Sequence, residues 1–194
     1  TAVGRHGPHL AEIRAASLGA NPAAGESGRR LQYLRWVRNH DTWHAPALHW
    51  LAVSGETLAA AAPFLRRLEA LAWTQMILAV QSNHRDARYL RLMKEIDAGR
   101  AMMPGSALDL ATRERNEVAR ILGAPNITRR PYKLFLLLRL CGTVEGDHAV
   151  SNLPPATIEH IFPNSPGAAS RWQQDFPDPS EAKVPALKAF NDYL

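Results

Sequence analysis

A glutamate and a histidine stand next to each other late in the chain, in residues 157–163 (TIEHIFP). A histidine ordinarily titrates near neutral pH, so the imidazole of His160 can take a proton from water. The carboxylate of Glu159 is the type of ligand that Mg²⁺ prefers, and a divalent ion offsets charge on a scissile phosphate and its leaving oxygen. The pair is suited to metal-dependent phosphodiester hydrolysis, but by the residues alone a surface strand with two polar residues is the preferred interpretation.

Residues 157–161 are predicted to form a short strand, because β-branched residues flank the polar pair. Pro163 favours the end of that strand, since proline has no N–H to donate to a neighbouring strand. Adjacent side chains on a strand point to opposite faces. Glu159 and His160 can therefore share one metal centre only where the strand ends, bends or bulges.

Residues 157–165 (TIEHIFPNS) resemble the opening of the nuclease domain in GmrSD-type modification-dependent restriction enzymes. The family form is an acidic residue, then His-Ile, any residue, proline and a small amide. The resemblance implies an HNH-type (ββα-metal) site with His160 as general base and Glu159 as a ligand of Mg²⁺ or Mn²⁺. It further implies a DNA endonuclease or nickase of bacterial phage defence, similar to the nickases that act with DNA phosphorothioation. Trp172 and the helix predicted before the site also fit the family layout.

Two parts of the family pattern are missing from these 194 residues. The family continues with Gly-Asn-Leu-Thr, and residues 190–194 (FNDYL) look like the approach to it, so Asn191 is not assigned. The family also begins with an NTP-binding domain that carries an Asp-Gly-x-Gln-Arg type motif. We therefore expect this chain to be the middle and the first part of the nuclease of a longer protein. Its partners would be phage or modified DNA and the N-terminal NTP-binding sensor domain.

The elements that must position this site are helices, because apolar residues recur at helical spacing through the first 150 residues. Leu10, Ile13 and Leu18 share one predicted face, and so do Leu31, Leu34 and Val37. Helices are predicted near residues 10–18, 31–37, 41–53 with Asp41 as N-cap, 64–79, 85–98, 109–122 and 131–140. The helix from residue 64 is apolar on more than one face, which is typical of a central, buried helix. Pro63 indicates a helix start, and Gly99 and Gly142 indicate helix ends.

Composition changes after this region, because residues 142–155 are rich in Gly, Pro, Asn and Asp and lack periodicity. The boundary between domains is placed there. The predicted fold class is mainly α: a helical bundle at residues 1–150, followed by a partial ββα-metal (HNH-like) nuclease domain at residues 151–194. The helical domain would position DNA or link the nuclease to the sensor domain.

Charge is concentrated in the first part of the chain. The formal net charge is +5 and the isoelectric point is about 9.8. Residues 1–150 carry 20 Lys and Arg against 13 Asp and Glu, a net of +7, whereas residues 151–194 carry 3 against 5, a net of −2. This predicts an anionic partner such as DNA, with Arg129, Arg130 and Asn164 as candidate contacts. A solvated helix surface with internal salt bridges is the alternative for the arginines.

Other chemistries are less well supported by the residues. His40, His44 and His49 invite a zinc site, but no fourth ligand is evident, and packing among Trp36, Trp43 and Trp50 is the preferred interpretation. Cys141 is the one cysteine, and neither a signal peptide nor an apolar run of membrane-spanning length is present. A cytoplasmic protein without membrane partners is therefore expected. A second functional hypothesis stays open, namely a helical DNA-binding or regulatory module with an inactive nuclease remnant.

Overall fold

The chain is described from a computed structural model, which covers residues 2–19, 21–37, 41–124 and 132–144, together with Arg171 and Gln174. Within these residues the chain forms seven α-helices and no strand. The helices are α1 (Ala2–Ser17), α2 (Gly25–Arg35), α3 (His44–Ser54), α4 (Ala62–Ile77), α5 (Ser82–Asp97), α6 (Thr112–Leu122) and α7 (Lys133–Val144). Short 3-10 turns at Pro22–Ala24, Asp41–Trp43 and Leu58–Ala61 precede α2, α3 and α4.

The helix α4 lies at the centre of the bundle, as its sequence predicts. Twelve of its residues are buried, among them Leu68, Leu71 and Ala72. It packs against α2 and α6, so two sides of the helix are covered and a single apolar stripe would not suffice. Pro63 lies in its first turn, where the missing N–H removes no intrahelical hydrogen bond.

The helix α1 packs on α2 and α3 through Ile13 and Ala16, both fully buried. The prediction that Leu10 and Leu18 share this buried face is wrong, because they are 39% and 57% exposed. Ile13 and Ala16 are three residues apart and form the contact row, whereas Leu18 lies in the turn after the helix end. On α2, the predicted core residues are all buried, namely Leu31, Leu34 and Val37 just beyond its end.

Several predicted helix ends are shifted. No side chain caps α3, which begins at His44 after the turn Asp41–Trp43, so the prediction of Asp41 as its N-cap is wrong. Gly99 follows α5 with a φ of 66°, the left-handed conformation that glycine adopts at little cost. Gly142, in contrast, is itself helical, and α7 continues to Val144. The prediction of a helix end at Gly142 is therefore wrong.

The predicted mainly α fold class is confirmed in the described residues. The ββα-metal part expected at residues 151–194 has no structural support, because the described residues contain no strand and include only Arg171 and Gln174 of that region. None of the described helices has both the length and the apolar character that crossing a membrane requires.

Candidate functional site

The residues that the sequence assigns to chemistry and to DNA contact lie outside the described part of the chain. These residues are Glu159 and His160 for catalysis and metal binding, and Arg129, Arg130 and Asn164 for nucleic acid. Their assignment stays a prediction. Two groups of described residues bear on function. One is the set of ion pairs that hold α7, which is the helix before the predicted nuclease motif, and the other is the set of arginines of α5 and α6.

A buried carboxylate fastens α7 to the bundle. Arg139 of α7 donates a hydrogen bond from Nε to Glu69 Oε1 of α4 at 2.6 Å. Arg30 of α2 donates from Nη1 to Glu69 Oε2 at 3.0 Å. Glu69 is 5% exposed and Arg30 is 9% exposed. Both carboxylate oxygens are thus occupied by guanidinium groups, as a charge removed from water requires.

Aromatic contacts reinforce the same junction. The guanidinium carbon of Arg139 lies 4.2 Å from the ring centroid of Tyr33, a cation–π distance. Phe135 of α7 packs against Trp36, with ring centroids 6.1 Å apart. The helix preceding the predicted nuclease motif is therefore attached to α2 and α4 by one ion pair and two aromatic contacts.

A second carboxylate extends this group of charges. Glu26 Oε1 accepts a hydrogen bond from Arg66 at 2.6 Å and from Arg30 at 2.9 Å. The hydrogen bonds from Arg66 and then from Arg30 lower the pKa of Glu26 below its ordinary value. Burial alone would lower the pKa of Arg30, but its hydrogen bonds to Glu69 and Glu26 outweigh burial and raise it. We call Glu26, Arg30, Arg66, Glu69 and Arg139 the Glu69 cluster.

The Glu69 cluster is suited to holding helices together rather than to proton transfer. Each oxygen of Glu69 accepts from an arginine, which is protonated at any ordinary pH. Because the two arginines belong to α2 and α7, the carboxylate of Glu69 links both helices to α4. The sequence analysis did not predict this cluster, although one signal was present. Glu69 is a charged residue within a helix that is apolar on several faces, and a charged residue in such a position usually has a buried partner.

The segment between α5 and α6 is a loop whose backbone is held by charged side chains. Arg88 donates to the carbonyl oxygens of Ala107 at 2.8 Å and Asp109 at 2.7 Å, and to Glu114 of α6 at 2.6 Å. Arg67 of α4 donates to Asp109 Oδ1 at 2.7 Å. The inward arginines thus satisfy loop carbonyls that a compact loop would otherwise leave without partners.

Carboxylates hold the loop from the other side. Glu95 accepts the N–H of Ala107 at 2.7 Å, and Asp109 accepts the N–H of Gly105. That backbone hydrogen bond, followed by the charge of Arg67, lowers the pKa of Asp109 below its ordinary value. At the tip of the loop, Met103 is 55% exposed.

Most of the exposed charged residues of the bundle are basic. Between residues 8 and 140, nine Lys and Arg of the described residues are exposed against four Asp and Glu. The exposed bases are Arg14, Arg35, Arg66, Arg91, Lys94, Arg100, Arg113, Arg115 and Arg120, and the exposed acids are Asp41, Glu56, Asp86 and Asp97. The exposed residues thus carry an excess of five bases, which suits an anionic partner.

The histidines considered for zinc do not converge in the part that is described. His44 stacks on the buried Trp43, with ring centroids 3.7 Å apart, and its Nδ1 lies 2.8 Å from Asp41 O. His49 Nε2 lies 2.7 Å from Asp97 Oδ1, and His40 lies outside the described residues. Among the residues described, no three of His, Cys, Asp or Glu are grouped so that they could hold a metal ion. Trp43 belongs to the core, as predicted.

The fold and the two groups of arginines have to be interpreted from physical chemistry alone. Compared with protein-family models, with curated proteins and with solved structures, the chain matches none of them.

Proposed function

We propose that this chain belongs to a metal-dependent HNH-type DNA endonuclease that nicks phage or modified DNA in bacterial defence. The observation that carries the proposal is residues 157–165, in which Glu159 and His160 precede Pro163 and a small amide. A partial ββα-metal fold of residues 151–194, a cytoplasmic location and an NTP-binding sensor domain as partner belong to the same proposal.

In the proposed reaction, His160 takes a proton from a water molecule, and the water oxygen attacks the phosphorus of one DNA strand. The bond between phosphorus and the leaving sugar oxygen then breaks, and that oxygen is protonated by solvent. Glu159 would hold a Mg²⁺ or Mn²⁺ ion, since a carboxylate suits such hard cations. When bound, the ion offsets the charge that develops on the phosphate and on the leaving oxygen.

A second candidate function is a helical DNA-binding or regulatory module whose nuclease remnant is inactive. The observation that favours it is the basic outer surface of the bundle, where nine Lys and Arg are exposed against four Asp and Glu among the described residues between 8 and 140. Such a surface suits a polyanion through phosphate contacts. The two candidates differ in whether metal-dependent strand cleavage occurs.

The experiment that separates them is plasmid nicking by the full-length protein with Mg²⁺ or Mn²⁺. His160→Ala should abolish conversion of supercoiled to open-circular plasmid while circular dichroism stays unchanged. His84→Ala is the matched control, because His84 is an exposed histidine of α5 far along the chain from the motif. Nicking that proceeds at the same rate with His160→Ala would exclude the assigned base. No nicking by the wild-type protein, together with salt-sensitive DNA binding, would favour the binding module.

A further inference from the structure

The basic residues of α5, α6 and the loop between them divide into an inward and an outward set. Arg67 and Arg88 are used internally, because their guanidinium groups bind Asp109, Glu114 and loop carbonyls. The outward set comprises Arg91, Lys94, Arg100, Arg113, Arg115 and Arg120, all exposed. We call these six residues the α5–α6 basic surface.

Three members of this surface have no internal partner. Within the described part of the chain, the side chains of Lys94, Arg100 and Arg113 form no hydrogen bond or ion pair, although the charge of Arg113 attracts Glu117 one turn further along α6. The exposed acids of the same unit are Asp86 and Asp97, and Asp97 lies against His49 of α3. The side chains of Asp109 and Glu117 are also 42% and 44% exposed, so the unit carries six exposed bases against four acids, and the side chains of three bases form no hydrogen bond or ion pair with a described residue.

Arg113 is placed where a helix does not favour it. It lies in the first turn of α6, where the helix dipole makes a positive charge unfavourable by a few tenths of a kcal/mol. The same dipole explains Lys94, which lies in the last turn of α5 and is stabilised there. It does not explain Arg113, whose only electrostatic interaction with a described residue is the attraction to Glu117 four residues further along α6 and whose side chain is exposed to an anion outside the bundle.

Hydrogen bonds link the elements that carry these charges. Arg88 joins α5 to α6 through Glu114 at 2.6 Å, and Arg91 donates from Nη2 to the carbonyl oxygen of Gly105 at 2.7 Å.

We infer that the α5–α6 basic surface is the place where the helical domain contacts the phosphates of duplex DNA. The choice of DNA over another polyanion rests on the proposed function. Arginine suits this role, since its guanidinium binds phosphate oxygens in pairs.

The test is the salt dependence of binding to a 30-base-pair duplex, followed by fluorescence anisotropy with the full-length protein carrying His160→Ala so that no strand is cut. Each lost phosphate contact lowers the slope of log K against log salt by about 0.9. Arg100→Gln with Arg113→Gln should lower the slope by about 1.8 and weaken binding roughly tenfold at moderate salt. Arg14→Gln is the matched control, because Arg14 is an exposed arginine of α1 without a partner in the described residues.

The inference is overturned if the double variant binds like the parent, if Arg14→Gln has as large an effect as either single Gln substitution, or if the protein binds anionic vesicles but not the duplex. Thermal unfolding of each variant shows that the bundle is intact. Loss of nicking with His160→Ala, combined with an unchanged salt slope, would contradict this inference and leave the proposed function standing. Unchanged nicking with His160→Ala, combined with a lowered salt slope for the double variant, would contradict the assigned nuclease site alone.

Discussion

Arginine has two different roles in the Glu69 cluster and in the α5–α6 basic surface. In the cluster, Arg30 and Arg139 are buried or half-buried, and both bind Glu69. On the surface, Arg100 and Arg113 are exposed, and their side chains form no hydrogen bond or ion pair with a described residue. Net charge treats these residues alike, but only the second pair is available to a ligand. The basic composition of the chain therefore has two origins, namely a network of ion pairs that joins helices and a candidate interface.

The largest effect is expected from Glu69→Ala, which leaves Arg30 and Arg139 without their shared acceptor. Arg30 keeps Glu26 as a partner, so the expected loss in the free energy of unfolding comes from two hydrogen bonds between charged groups and is about 3 kcal/mol. Urea unfolding monitored by circular dichroism measures the change. Glu117→Ala is the matched control, since Glu117 pairs with Arg120 on an exposed side of α6. Equal midpoints for the two variants would show that the Glu69 cluster contributes no more than a surface pair.

Arg139→Ala should cost less, because Glu69 keeps Arg30 as a partner. We expect the free energy of unfolding to fall by about 1–2 kcal/mol, because one charge-assisted hydrogen bond and one cation–π contact are lost. Hydrogen exchange should rise in α7 and stay unchanged in α2 and α4, because the inner pair remains. Faster exchange throughout the bundle would contradict the view that Arg139 attaches α7 alone.

Asp109→Asn should lower the free energy of unfolding by about 1 kcal/mol, because the loop between α5 and α6 loses a charged partner. The loss is no larger because the side chain of Asp109 is 42% exposed, which limits the strength of its pairing with Arg67. The folded state lowers the pKa of Asp109, so the unfolded chain binds more protons near its ordinary pKa of about 3.9. The stabilisation is therefore complete above that pH and is lost as the pH falls through the lower folded value. Thermal unfolding at pH 7 and pH 3 should show that the two proteins become more alike in acid. A difference that grows in acid would reverse the sign and contradict the assignment.

The smallest effect is expected from Arg113→Gln, and its sign is the informative part. Removing a positive charge from the first turn of α6 should stabilise the protein by about 0.3 kcal/mol. The matched change Arg120→Gln, in the last turn of the same helix, should not stabilise it. Chemical unfolding of both variants gives the comparison, and a destabilised Arg113→Gln protein would mean that this arginine has a structural partner.

The helices were predictable from the sequence to the extent that packing depends on local periodicity. The repeat of Leu31, Leu34 and Val37 predicts their burial, and the apolar faces around Leu68 predict a central helix. The exposure of Leu18 was not predictable from spacing alone, because it depends on where α1 ends.

The charged network was harder to predict, since its partners are distant in sequence. Glu69 and Arg139 are separated by 70 residues, and no local pattern pairs them. The same limit applies to the α5–α6 basic surface. Whether Arg88 is half-buried and Arg91 exposed depends on how the loop between α5 and α6 packs against them. The candidate catalytic pair, Glu159 and His160, rests on the sequence motif.

The division of the arginines is tested most directly by measuring the salt slope of duplex binding for Arg113→Gln and Arg139→Ala in the His160→Ala background. We expect that Arg113→Gln lowers the slope by about 0.9, whereas Arg139→Ala leaves the slope unchanged although it is the less stable protein. A slope that falls with Arg139→Ala and not with Arg113→Gln would contradict the account.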